Sequence, residues 1–437
     1  MKIAVVGTGI SGLAAAWLLR RQAQVTVYEQ NAYAGGHTHT FQVPGGPAVD
    51  TGFIVFNERN YPHLTALFQH LGVDSQASDM SFAASIGAGR TEYAGDNLNT
   101  LFAQRWNLLD RAHWRMLRDI LRFNRDARRA LRLGLAPELT LGQFISQGRY
   151  GDELSQRYLL PMAAAIWSCP VGAMLKFPAA SFLRFFENHG LLELMDRPRW
   201  RTVTGGSHEY VKKLLAGLGE SVRLDTPVTG IRRIGAAVRV WDARSGVADY
   251  DRVVMAVHAD QVLPLLAGAT AAERRVFSAF RYQDNRVLLH TDPALMPKRR
   301  SVWAAWNYLA GDVVDGKARV SVTYWMNRLQ RLAGDKDYFV SLNPLTEPKD
   351  VVFETSYAHP VFTPEAVQAQ EQLASLQGVD RIWFCGAWSG YGFHEDGLRS
   401  AVQVAQGLGC PVPWLQGEAA PRTESPPSLW DPLAGEA

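Results

Sequence analysis

The opening twelve residues constrain the fold more than any other part of the chain. An uncharged apolar run, Ile3 to Val6, passes directly into Gly7-Thr-Gly9-Ile10-Ser11-Gly12, and an Ala/Leu-rich segment continues to about Arg21. The short apolar run reads as a buried strand and the segment after the glycines as a helix. Gly7 permits a tight turn, Gly9 lets backbone approach a diphosphate, and Gly12 lets helix pack on strand. An anion placed there meets the free N–H groups and the positive end of the helix. A second strand, Gln24 to Tyr28, ends at Glu29, 22 residues after Gly7, where an acid can bind ribose hydroxyls. The combination predicts a dinucleotide-binding βαβ unit, with Ile10, Ser11 and Gln30 beside the nucleotide. The same stretch superficially resembles a secretory leader, but it lacks a small-residue cleavage site.

The remaining composition sets broad limits. A chain of 437 residues, 47% hydrophobic and 20% charged, predicts two to three domains or one large composite with a buried core. A net charge of +3 gives no reason to expect nucleic acid as a partner. Cys169, Cys385 and Cys410 are odd in number and lack CxxC spacing, so neither a disulfide framework nor structural zinc is expected, and the compartment reads as reducing and cytoplasmic. Tyr158 to Leu175 approaches the length of a membrane span, but Pro161, Pro170 and Gly172 break it. From Tyr61 to about Arg149 the pattern reads as helical. Strands are expected within Val222 to Val257, at Arg286 to His290, at Arg319 to Trp325 and at Arg381 to Gly386. Residues 411–437, rich in Pro, Ser and Glu, read as an arm or tail without a core.

Three further features carry a resemblance. Gly35 and Gly36 form a doublet followed by His37 and Thr38, and Asp50-Thr51-Gly52 follows a short strand. Near the far end, Phe384-Cys-Gly386-Ala387-Trp388-Ser-Gly390-Tyr391-Gly392-Phe393-His394-Glu395-Asp396-Gly397 leads into a helix. With the N-terminal unit, these resemble the flavin-containing amine oxidoreductase superfamily from Lys2 to about Gly409. The resemblance implies an α/β fold: a Rossmann-like FAD-binding domain of the amine oxidase type with an inserted α+β substrate domain. It assigns residues 1–60, 200–285 and 376–410 to the first domain, and 61–199 and 286–375 to the second. It implies FAD held non-covalently by both glycine segments, namely Gly35, Gly36, His37, Thr38, Thr51 and Gly52, then Gly386, Ala387, Glu395, Asp396 and Gly397. Val228, in TPVTGI, matches the residue whose backbone meets the adenine. No second GxGxxG occurs, so a separate NADPH domain is not expected. Electrons would enter from the substrate and leave to oxygen or another acceptor.

Within the superfamily, several segments are similar to bacterial NAD/FAD-binding proteins associated with cyclopropane-fatty-acid-synthase-like methyltransferases. They are Asp50 to Leu64, Trp167-Ser168 with Pro170, Phe177-Pro178, His290 to Pro297 and Gly390 to Gly397. Some of those proteins resemble desaturases of methylated acyl chains in furan fatty acid formation. This implies a fatty acyl or other lipophilic substrate and a methyltransferase as functional partner.

Flavin chemistry needs a C–H bond held over the cofactor and a base for any proton released. In the C-terminal turn, Trp388 and Tyr391 are expected to wall the flavin and His394 to serve as the base, unless it only caps the helix. Glu395 or Asp396 would bind a ribityl or ribose hydroxyl, or cap the helix. His37 and His39 lack a third ligand, so no metal is expected. Amine oxidases of the superfamily usually carry an active-site Lys on a substrate-domain strand, but Tyr282 to His290 contains none. Trp388-Ser389-Gly390 occupies the turn where monoamine oxidases place the flavin-linking Cys, so the resemblance argues against a plain amine substrate and a covalent flavin.

The apolar segment from Tyr158, with Phe177, Phe182, Phe185 and Phe186, reads as a lipophilic tunnel wall or as ordinary core. Arg105 to Arg132 holds nine Arg and three Asp interleaved with Trp106, Trp114 and leucines. Residues 101–135 therefore suit a helix resting peripherally on the inner membrane face, or a solvated helix or subunit interface. The expectation is an FAD-dependent oxidoreductase that desaturates a (methylated) acyl chain of a membrane lipid by hydride transfer to flavin. The alternatives are a redox-neutral double-bond isomerase, an oxidase of small amines, and a non-catalytic flavin-binding partner of a methyltransferase.

Overall fold

The computed structural model describes residues 1–415, apart from 137, 168–170, 194–197, 245 and 315–316. Cys169, the Ser168 and Pro170 part of the resemblance, and the tail from 416 onward lie outside the described residues.

The apolar N-terminal run forms β1 (Lys2–Val6), followed by α1 (Ile10–Leu19) and β2 (Gln24–Tyr28). Two short strands, β3 (Val222–Arg223) and β4 (Arg252–Met255), and the late β5 (Ile382–Phe384) complete a five-stranded sheet ordered β3-β2-β1-β4-β5. Every pairing in it is parallel, with Lys2 opposite Gln24 and Ile3 opposite Arg252. Parallel sheets are covered on both faces, which is why β1 is apolar without alternation. Helix α1 is buried along its whole length, between α4 (His394–Gly407) on one side and the helix His208–Leu218 on the other. It has no polar face because it has no wet side.

The second layer is a mixed seven-stranded sheet. Its order is Val351–Val361, Arg281–His290, Phe339–Leu342, Lys317–Trp325, Trp306–Val314, Phe82–Ile86 and Thr91–Ala94. All neighbours are antiparallel except Trp306–Val314 with Phe82–Ile86. A helical layer that includes α3 (Arg111–Leu133) covers its Phe82–Ile86 side, where Met116, Tyr93, Ala84 and Tyr308 share a small core.

Two sequence expectations change here. The stretch after Tyr61 is not wholly helical: Ser75–Ala77 and Phe82–Ile86 are strands because they find partners remote in sequence, and Thr91–Ala94 pairs back on Phe82–Ile86. The domain boundary also moves. Helix α2 (Pro62–Leu71) buries Leu64, Leu67 and Phe68 in the core of the nucleotide layer, and the strand beginning at Arg281 belongs entirely to the second sheet. The apolar stretch after Tyr158 is not one helix, as the sequence predicts: Leu160–Trp167 and Val171–Met174 are separate. Among the described residues, no helix is long and apolar enough to cross a membrane.

Candidate functional site

A cavity of about 1190 Å³ lies between the two sheets and runs from the first glycine turn into the second layer. Its nucleotide end is built as the glycines require. Gly7 has φ +102, and a Cβ on it would lie 2.6 Å from the Ala256 carbonyl oxygen. A Cβ on Gly12 would lie 1.9 Å from the Gly7 carbonyl oxygen, so any side chain there would push α1 off the turn. Gly9 differs: a Cβ on it meets nothing within 4 Å, and the residue lines the cavity at the start of α1. Open space in front of helix N–H groups is what a diphosphate needs. Gly36, at φ +57, closes the opposite side, where a Cβ would come within 3.0 Å of the Gly9 Cα.

Ile10, Ser11, Gln30, Gly35, Thr51, Gly52 and Val228 all line this cavity. So does Glu29, whose carboxylate accepts bonds from the Thr8 amide (3.0 Å) and hydroxyl (2.5 Å) and from the Asn31 amide and side chain (both 2.9 Å). Thr8 and Asn31 thus orient the acid, a role that the glycine spacing does not reveal. The glycine cradle and the acid fit a dinucleotide: Gly7, Gly9, Ile10, Ser11, Gly35 and Gly36 would hold its diphosphate, and Glu29 a ribose.

Deeper in, three imidazoles stack. The His37 ring lies 5.4 Å from His258 and 5.4 Å from His359, at interplanar angles of 20° and 19°. Tyr282 extends the column, 4.6 Å from His258 at 10°. All four line the cavity. The Asn285 amide donates to His359 Nδ1 at 2.8 Å, which leaves the His359 proton on Nε2. Burial lowers the pKa of His37 well below the usual value, with His359, His258 and His394 adding to the effect, and brings His359 down to about 4. The column is uncharged at neutral pH. Of its members only His37 was singled out from sequence. His258 follows β4 and His359 lies on the strand Val351–Val361, and no local motif marks either position.

The C-terminal turn departs from expectation. His394 lines the cavity, but its Nε2 is shared by Thr38 Oγ1 (2.8 Å) and the Tyr210 hydroxyl (3.1 Å), and its ring stacks on Phe53 at 3.8 Å. Enclosure lowers its pKa to about 3. A base works best with a pKa near the working pH, so this geometry makes His394 a fastener between the first and last segments rather than the expected base. Thr38 is turned into that network and does not line the cavity. Tyr391 does line it. Trp388 lines it too, with its indole donating to the Val257 carbonyl at 3.0 Å and its ring against Phe277 and Phe280.

Glu395 and Asp396 are corrected too. Glu395 accepts from the amides of His63 (2.9 Å) and Leu64 (3.0 Å), capping α2, and Asp396 accepts from the amides of Tyr391 and Phe393 (both 3.0 Å). Neither side chain lines the cavity, because both are committed to backbone. Gly397 serves close packing: a Cβ there would lie 2.8 Å from Ser11 Oγ. Gly386 and Ala387 do line the cavity. Among the described residues no cluster of His, Cys, Asp or Glu could hold a metal ion.

Beyond the histidines the walls turn apolar, with Ile54, Met80, Phe82, Ile166, Phe185 and Leu342 among the lining side chains. No Lys or Arg lines the cavity among the described residues. Apart from Glu29 its lining acids are Asp260 and Asp284, both exposed at the rim.

A parallel nucleotide-binding layer joined to a mixed sheet, with a deep cavity between them, defines a two-layer dinucleotide-dependent protein. The match is specific: the model of the family "Flavin containing amine oxidoreductase" covers residues 10–288, and the chain belongs to that family. AofH of Mycobacterium tuberculosis, provisionally named a flavin-containing monoamine oxidase, is 28% identical over 264 residues, covering 58% of this chain and 56% of that protein. The chain thus spans just over half the length of that curated relative. A putrescine oxidase double mutant superposes with a TM-score of 0.68 at 17% identity, covering 93% of this chain and 99% of the other. A fatty acid isomerase from P. acnes that produces CLA superposes with a TM-score of 0.66 at 14% identity, covering 92% and 97%. These superpositions establish a shared fold.

Proposed function

We propose that this protein is an FAD-dependent oxidoreductase that dehydrogenates an uncharged hydrocarbon segment, most simply the acyl chain of a lipid. One observation carries the reading: among the described residues, the inner part of the cavity has apolar walls, histidines that stay neutral, and no fixed cation. A buried charge without a partner costs several kcal/mol or shifts to its neutral form. A free carboxylate would find no counter-ion there, and an ammonium group would find no free carboxylate in the inner part, since Glu29 is bound to Thr8 and Asn31 and Asp260 and Asp284 stay exposed. An alkyl chain loses nothing by entering.

When bound, FAD supplies the two-electron acceptor. The protein's share is positional. The apolar side chains hold the chain and keep water out, and the neutral imidazole column walls the space between them and the nucleotide end. A methyltransferase that acts on the chain beforehand remains part of this proposal.

The test is anaerobic mixing of purified holoprotein with phospholipid in detergent micelles, and in parallel with short amines, while flavin absorbance is followed. Bleaching by lipid, with a new double bond in the recovered chain, is the expected result. Bleaching by amines alone overturns the reading. A shifted double bond without net acceptor consumption would replace dehydrogenation by isomerisation.

A further inference from the structure

The segment that connects the second sheet to α3 is outwardly apolar. Leu98 is 75% exposed, Trp106 59%, Leu109 88% and Trp114 50%. All four lie within residues 98–114, where the Trp114 indole donates to the Leu108 carbonyl at 2.9 Å and its ring lies 5.2 Å from Phe102, one turn after Leu98. Trp114 is thus held in place while exposed. Contiguous exposed apolar surface of this kind marks an interaction site.

The charge around the patch is one-sided. Along α3, Arg111, Arg115, Arg118, Arg125, Arg128, Arg129 and Arg132 are exposed. The nearby acids are already engaged. Asp110 caps α3 and pairs with Arg157; Asp119 pairs with Arg122 and the Gly151 amide; Asp126 pairs with Arg125 and Tyr150; Glu153 pairs with Arg115. Among the described residues, Arg111, Arg129 and Arg132 have no carboxylate within ion-pair distance. The surface offers tryptophans and leucines at one end and a row of exposed arginines along the rest, among them Arg111, Arg129 and Arg132 without a carboxylate partner among the described residues.

We infer that this surface docks the protein on an anionic phospholipid bilayer, with Trp106, Leu109 and Trp114 entering the interface and α3 lying along the headgroups. Tryptophan prefers that depth, and basic residues near an anionic surface are attracted to it. A water-soluble partner protein of opposite charge would not require the protruding Leu109. The inference does not depend on the substrate reading. It does put the membrane one layer from the cavity, since Phe82, which lines the cavity, packs in the same small core as Leu101, Leu117 and Ile120.

Flotation of the holoprotein with vesicles of phosphatidylglycerol and phosphatidylcholine, or of phosphatidylcholine alone, tests it. The protein should float with the anionic vesicles and be released at about 1 M salt, where screening extends only about 3 Å. Trp106→Ser, Leu109→Ser and Trp114→Ser together should cut binding more than 10-fold while flavin content and Tm stay unchanged. Arg111→Gln, Arg129→Gln and Arg132→Gln together should weaken binding to anionic vesicles by roughly 100-fold, at about 1 kcal/mol per cation. Absence of wild-type binding at low salt, or equal binding by the serine variant, overturns the inference. So does ultracentrifugation showing a dimer that the serine variant abolishes while no vesicle binding is seen, which would make the patch a contact between copies.

Discussion

His394 illustrates how a residue can sit in the expected place and be disqualified by its surroundings. Its imidazole is tied to Thr38 and Tyr210 and held neutral by enclosure, with a pKa lowered to about 3. Stopped-flow flavin reduction by His394→Gln should therefore keep the wild-type pH profile between pH 5 and 9, with the damage appearing as a lower Tm. A rate loss of ~100-fold with an altered profile would restore it as the base. Gly9 and Gly12 make a matched pair of tests. Gly9→Val adds a side chain into open space, so the chain should fold and lack flavin, whereas Gly12→Ala drives a Cβ into the Gly7 carbonyl and should lose fold and flavin together. Both glycines were legible in the sequence because their roles follow from spacing alone. His258 and His359 were not, because their meeting with His37 depends on strands that converge only in three dimensions.

At the scale of elements, β1, α1 and β2 could be read almost to the residue, since an apolar strand, a glycine turn and a helix leave a local signature. The strands Phe82–Ile86 and Thr91–Ala94 were missed, because Phe82–Ile86 is held by pairing with the remote Trp306–Val314 and Thr91–Ala94 pairs only with Phe82–Ile86. Helix α2 is informative in another way. Its first free amides are satisfied by Glu395, from the other end of the chain. Replacing Glu395 by Ala should leave those amides without partners in a buried place and cost about 1–3 kcal/mol, measurable by urea unfolding. Glu395→Gln keeps one acceptor oxygen and should recover part of the loss. If Ala is neutral, the cap contributes nothing.

The whole molecule carries an unusual load of buried histidine. Burial lowers the pKa of His63, His189, His290 and His359 to about 4 and that of His394 to about 3. These groups take up protons on unfolding once the pH falls below the ordinary value of 6.5, while the folded state refuses them until near 4. The histidine contribution to stability is therefore complete above pH 6.5 and is lost as pH falls toward 4. Each histidine contributes about 1.4 kcal/mol per pH unit within that window. Calorimetry at pH 5 and pH 8 should show a lower Tm at the acid end and net proton uptake on unfolding, offset in part by Asp50 and Glu395, whose pKa values burial raises to about 7 and which release protons on unfolding. Equal Tm values at the two pH values would mean that the histidines titrate freely.

The position of β5 and α4 at the end of the nucleotide layer has a consequence for how the chain is made. Helix α1 is apolar on every side, yet α4, one of the two helices that cover it, begins only at His394. At ordinary synthesis rates of roughly 5–20 residues per second, α1 waits roughly 20–80 s on the ribosome before that cover arrives. The nascent chain thus presents an oily helix for most of its synthesis, which makes it a natural client of holding chaperones. A ribosome stalled before Ile382 should yield a product that aggregates, even though every residue of the first glycine turn is already present.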